Sequence, residues 1–151
     1  MLRLSTCAAA IAAMVVASSL GTIALSTGVA SASAPTVTCT KFSATVAGKA
    51  TLGSCNDTKN TGGSGKEVAN LSKKTAVITW NKTGTTTTKF TYANVTPNKC
   101  PTGYTEVKET ATVTGGTGAA VKSIPKGQVG VLLLCIKGST ITLLKGQTYK
   151  I

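Results

Sequence analysis

In TAVITWNKTGTTTTKFTY, residues 75–92, large apolar side chains fall on alternate positions. Ala76, Ile78 and Trp80 share one side of one extended run, and Phe90 and Tyr92 share one side of the next. A period of two is the signature of a strand with one buried face. The four residues between the runs, Asn81–Gly84 (NKTG), supply turn chemistry, so the two runs form a β-hairpin. Trp80, the only tryptophan, lies on the apolar side and is therefore a core residue.

The same pattern extends in both directions. Threonine and valine recur between turn clusters spaced by about ten residues, as in an all-β chain. Strands are expected at Thr36–Ala47, Ala50–Cys55, Thr75–Trp80, Thr85–Val95, Tyr104–Thr114, Gln128–Lys137, Ser139–Leu144 and Thr148–Ile151. Breakers separate them: NDTKNTGGSG (56–65), NKTG (81–84), TPNKCPTG (96–103) and GGTG (115–118). Thr105, Val107, Glu109, Ala111 and Val113 alternate with more polar residues, which gives that strand one wet face. VGVLLLCIKG (129–138) is apolar on both faces and suits a central strand covered on both sides. KEVANLSKK (66–74) suits one short helical turn. Seven to eight strands in this length predict a single antiparallel β-sandwich or small barrel.

Ahead of this body, residues 1–32 have the layout of a secretory signal peptide: Arg3, an uncharged stretch from Leu4, then the small-x-small run Ala30, Ser31, Ala32. A cut after Ala34 would place Pro35 beside the scissile bond, a poor protease substrate, so a mature domain over residues 33–151 is expected. The uncharged run is long enough to span a bilayer as a signal anchor. Against that, Ser18, Ser19, Gly21, Thr22, Ser26, Thr27 and Gly28 dilute it, and no basic stop follows closely. Cys7 has no apolar run ahead of it and is read as a leader residue. The remaining four cysteines, Cys39, Cys55, Cys100 and Cys135, form an even set, the usual sign of two disulfides in a small exported domain. Three connectivities are open. Cys39–Cys55 with Cys100–Cys135 is preferred, because each pair brackets a strand-turn-strand unit.

Charge narrows the function classes. The formal net charge is +12, from fifteen lysines and Arg3 against Asp57, Glu67, Glu106 and Glu109. With arginine confined to the leader, the bidentate fork favoured in specific nucleic-acid readers is missing. Histidine is absent altogether, which removes imidazole as base, acid or metal ligand. Neither a metal centre nor a cofactor is expected, and the chain is read as non-enzymatic. Glu106 and Glu109 are three apart on a strand, on opposite faces, and read as solvated or strand-edge charges.

Several short motifs imitate active sites. SIPK (123–126) and KTG (82–84) match two motifs of penicillin-recognising enzymes, in reversed order and without the third. NTGGSGKE (60–67) looks like a phosphate loop, yet Asn60 replaces its first glycine and Glu67 its Ser/Thr, so it reads as a flexible glycine-rich connection. Asn56, Asn70, Asn81 and Asn94 each open an Asn-x-Ser/Thr triplet, as chance allows in a threonine-rich chain.

Taken together, the leader, Cys39 and Cys55, TGGSG, VITW, the threonine run before Phe90, CPTGYTE, Cys135 and the ending LLKGQTYKI resemble small secreted proteins of actinobacteria that lack an assigned role. The likeness implies export and a β fold, and carries no catalytic residues. Exported antitumour chromoprotein carriers are similar in outline, but the strong positive charge and the wide Cys100–Cys135 spacing depart from them. Two readings follow. The first is a secreted or envelope-associated module whose lysines attract an anionic envelope polymer or lipid head groups. The alternative is a secreted effector, either a cationic antimicrobial or a protease inhibitor presenting CPTGYTE.

Overall fold

The computed structural model describes residues 37–151; the leader expected over residues 1–32 lies outside them. The described chain runs β1 (Thr38–Thr45), β2 (Lys49–Cys55), β3 (Gly65–Asn70), β4 (Thr75–Trp80), β5 (Thr85–Asn94), β6 (Thr105–Thr117), a 3-10 turn (Gly118–Lys122), β7 (Val129–Lys137), β8 (Thr140–Leu143) and β9 (Tyr149–Lys150). Each of β1 to β7 pairs antiparallel with its successor. β8 then returns to β1, with Ala44 opposite Ile141 and Thr45 opposite Thr140. The eight strands thus close into a barrel, and β9 adds to the far end of the same β1 edge, with Cys39 opposite Tyr149. Of the two architectures expected, the barrel is realised: a sandwich would leave sheet edges open, and here β1 has partners on both sides.

The hairpin of residues 75–92 forms β4 and β5, with Thr75 opposite Lys89 and Thr79 opposite Thr85. Ala76, Ile78, Trp80 and Phe90 are all buried inside. Trp80 is 3% exposed, and its indole N–H donates to Thr86 Oγ1 at 2.8 Å, so the one polar atom of the ring is satisfied. Its ring lies over Gly65, the opposite residue on β3, where a Cβ would stand 2.9 Å from Cε3. Glycine is required there by the close approach of the indole rather than by an unusual backbone.

Three expectations are corrected. KEVANLSKK forms no helical turn. Its first residues belong to β3, hydrogen-bonded to β2 on one side and β4 on the other, and two sheet ladders outweigh a weak local helix preference. VGVLLLCIKG is not covered on both sides along its length. Leu132 and Leu134 face the interior while Val131, facing out, is 44% exposed; on the outer side Val129 and Leu133 are half-buried and only Cys135 is fully covered. The segment 56–64 is not a loose connection. Thr61 is fully buried, its hydroxyl donates to the Asp57 carbonyl, and Lys82 N–H donates to the Thr61 carbonyl at 3.2 Å.

The two barrel ends differ. At one end the 3-10 turn with Ala120, Ile124 and the C-terminal Tyr149 and Ile151 pack onto Leu52, Trp80, Val113 and Leu132 in one buried cluster, and the 56–64 segment is tied alongside through Asn60 to Ser123 and Thr61 to Lys82. Gly130 admits this plug: a Cβ on it would meet the Lys150 carbonyl oxygen at 2.3 Å. The Cys39–Cys55 disulfide joins directly opposed residues of β1 and β2 at this closed end, spanning 16 residues of chain. Substituting Gly65→Ala should drive its methyl into Trp80 and Ile78 and destabilise the fold by about 1–3 kcal/mol. Chemical denaturation followed by the fluorescence of the single tryptophan checks this, with a shifted emission maximum in the folded variant expected as well.

Candidate functional site

At the opposite end the inward positions are small. Ala44 on β1, Ala50 on β2 and Ala69 on β3 stand where Leu52, Ile78 and Trp80 fill the lumen deeper down. The shortfall in side-chain volume leaves a cavity of about 290 Å³, open to solvent. Phe42, Val107, Leu134, Ile136 and Ile141 complete its apolar wall, and Val46, Leu71 and Tyr92 form an exposed apolar rim. Phe42 stacks on Tyr149, ring centroids 5.7 Å apart, and Tyr92 rests against Phe90 at 5.1 Å.

Two carboxyls enter this apolar cup. Glu67 comes from β3, opposite Ala50 on one side and Ile78 on the other; Glu109 comes from β6, opposite Tyr92 and Leu132. The Tyr149 hydroxyl donates to Glu67 Oε2 at 3.4 Å, and Tyr92 stands directly opposite Glu109 across the β5–β6 ladder. Burial pushes Glu109 up to about 7, with the neighbouring Glu67 charge adding to the rise and Tyr92 opposing it. Burial likewise raises Glu67, partly offset by Tyr149. Burial and the two carboxyls together hold the Tyr92 and Tyr149 hydroxyls above the ordinary tyrosine range, so both remain protonated donors.

Sequence reasoning placed Glu109 on the same side as Val107, Ala111 and Val113, and opposite to Glu106; both placements hold. What fails is the expectation that these two carboxylates are solvated. Glu109 lies in the cup, and Glu106 is 1% exposed beneath the β5–β6 connection. That connection folds back along the outside of the barrel. Cys100 is bonded to Cys135 on β7, Lys99 N–H donates to Glu106 Oε2, and Asn98 donates to the Tyr104 carbonyl at 2.7 Å. The CPTGYTE stretch thus lies on the outer wall, with Pro101, Thr102 and Gly103 exposed. The signal for Glu109 was present in the sequence, an acid on the apolar side of an alternating strand. Glu67 gave none, because its strand was not recognised.

The imitations of active sites resolve into structural parts. Ser123 of SIPK accepts a hydrogen bond from Asn60 Nδ2 at the plugged end, and KTG closes the β4–β5 turn with Gly84 at φ +105°. Among the described residues no helix is long and apolar enough to cross a membrane. The outward side chains Lys41, Lys66, Lys89 and Lys108 are all exposed, the reverse of the apolar belt that a lipid-facing barrel wears. Compared with protein-family models, curated proteins and solved structures, the chain matches none of them.

The buried acids set a pH dependence. A folded Glu109 keeps its proton up to about pH 7, whereas an unfolded glutamate loses it near 4.5. Between those values the folded state binds more protons, so stability is greatest below the unfolded value and falls as pH rises through the folded one, by up to about 3 kcal/mol. Urea denaturation at about pH 5 and about pH 8 should show the acidic sample to be the more stable, and Glu109→Gln should flatten the difference.

Proposed function

We propose that this is an exported, non-enzymatic barrel that captures a small, largely apolar molecule in its open end. The observation that carries the reading is the cup itself: an apolar cavity of about 290 Å³ in a barrel whose other end is plugged. Its volume is at the low end of small-molecule sites, and its lining matches their usual make-up of hydrocarbon with a few polar groups. Binding fits the chemistry better than catalysis. The groups beside the two carboxyls are tyrosine hydroxyls held in their protonated form, and the chain has no histidine. Export is supported by the leader-like start and by two disulfides, which persist in oxidising compartments.

A neutral, environment-sensitive apolar fluorophore titrated into the protein should bind saturably and one to one. Ala69→Phe, which places a ring into the mouth, should weaken that binding by at least about tenfold, a loss of about 1.4 kcal/mol. Its unfolding midpoint should change little, since Ala69 is only half-buried. A wild-type protein that leaves the fluorophore free removes this reading.

A second role rests on a different observation. Every lysine from Lys41 to Lys150 is exposed, whereas Glu67 and Glu109 face the cup and Glu106 is covered, leaving the outer surface almost purely cationic. This supports association with an anionic envelope polymer or with lipid head groups while the cup is occupied. On an anionic matrix the protein should elute only above about 0.15 M salt, with steep salt dependence; elution below that counts against the association.

A further inference from the structure

We infer that the cup selects an apolar molecule bearing a single ammonium group, held by Glu67 and Glu109. This rests on the cup being a binding site and specifies its ligand class. Hydrocarbon alone would accept any apolar body of suitable size, so the selective elements are the polar groups that reach the lumen. Glu67 and Glu109 come from β3 and β6, on different parts of the wall, and both line the same cavity. Glu67 accepts from the Tyr149 hydroxyl, and Glu109 has Tyr92 as its cross-strand neighbour. A carboxylate offers about four lone-pair sites, so most of the acceptor capacity of both is left for an occupant.

The energetics point the same way. Two acids lining one largely apolar cavity repel and lack much of the water that would stabilise their charge. An ammonium placed between them removes the repulsion and supplies charge-assisted hydrogen bonds. An anionic ligand would add to the repulsion. A divalent metal is a poor fit, because hard cations take six or more oxygen ligands and the surroundings here are alkyl and aromatic. The charge of the ligand is also bounded from outside. Lys49 lies at the mouth and Lys73 and Lys74 occupy the β3–β4 turn at the same end, all exposed. Their field disfavours an approaching polyamine far more than a singly charged amine with a hydrocarbon body.

The groups facing the pair are Tyr92 from β5, Tyr149 from β9 and, at the rim, Lys49 from β2. Burial raises both carboxyls of the pair, Glu109 up to about 7. An ammonium occupant favours their charged forms, so binding below about pH 7 releases a proton and affinity weakens with acidification.

Three probes of one shape separate the possibilities: naphthylmethylamine, naphthylmethanol and naphthoate, titrated calorimetrically into the unmodified protein at about pH 8 and about pH 5. The amine should bind at least about tenfold tighter than the alcohol at the higher pH, with naphthoate weakest, and its advantage should shrink at the lower. Glu109→Gln and Glu67→Gln should each reduce the preference for the amine while leaving the alcohol bound. An amine that binds no better than the alcohol overturns the inference and leaves the cup intact. Failure of all three probes overturns the cup reading itself. The wild-type series decides between these outcomes whether or not either variant folds.

Discussion

The structure depends on β1 having hydrogen-bonded partners on both edges. One partner, β2, is the next strand in sequence and arrives through a tight turn at Gly48. The other, β8, begins at Thr140, and its ladder with β1 is short, with Ala44 opposite Ile141 and Thr45 opposite Thr140. So distant a closure carries a higher loop-entropy cost than a local hairpin, though one that grows only slowly with separation. The Cys39–Cys55 bond and the strand β9 reinforce β1 at its other end, so the seam is anchored top and bottom. A closed sheet has an inside, and side-chain size then divides that inside into a filled half and an empty one.

Charge is partitioned as strictly as volume. Lysines occupy the wall and both rims, while Glu67 and Glu109 turn inward and Glu106 lies under the β5–β6 connection, which leaves Asp57 at the plugged end as the one acid outside this pattern. Repulsion between copies opposes self-association of such a surface. Inside, the same carboxyls sit in a medium where Coulomb interactions are several times stronger than in water. Two acids therefore define the character of the lumen even though lysines dominate the chain.

The β4–β5 hairpin was legible because two independent signals, alternation and turn chemistry, agree over residues 75–92. The number and position of most strands followed for the same reason. β3 was not legible: GKEVAN has one large apolar residue, and that residue, Val68, points outward. Its strand character comes from ladders on both sides, which are facts about neighbours. Closure was open between sandwich and barrel because the β1–β8 register joins distant segments, and local periodicity carries no register. The cup followed the same limits. Glu109 stood visibly on an apolar face, whereas its counterpart Glu67 became visible only once β3 existed.

The connection held on the outer wall by Cys100–Cys135 has a kinetic meaning. It is the longest connection at the open end, the segment best suited to fold across the mouth as a flap, and it is fastened elsewhere. An occupant would enter and leave past a permanently uncovered aperture, with its dwell time set by its own contacts and by no hinged door. On the proposed reading, such a receptacle would equilibrate quickly with its surroundings, which suits buffering or handing on a molecule better than sealing it away.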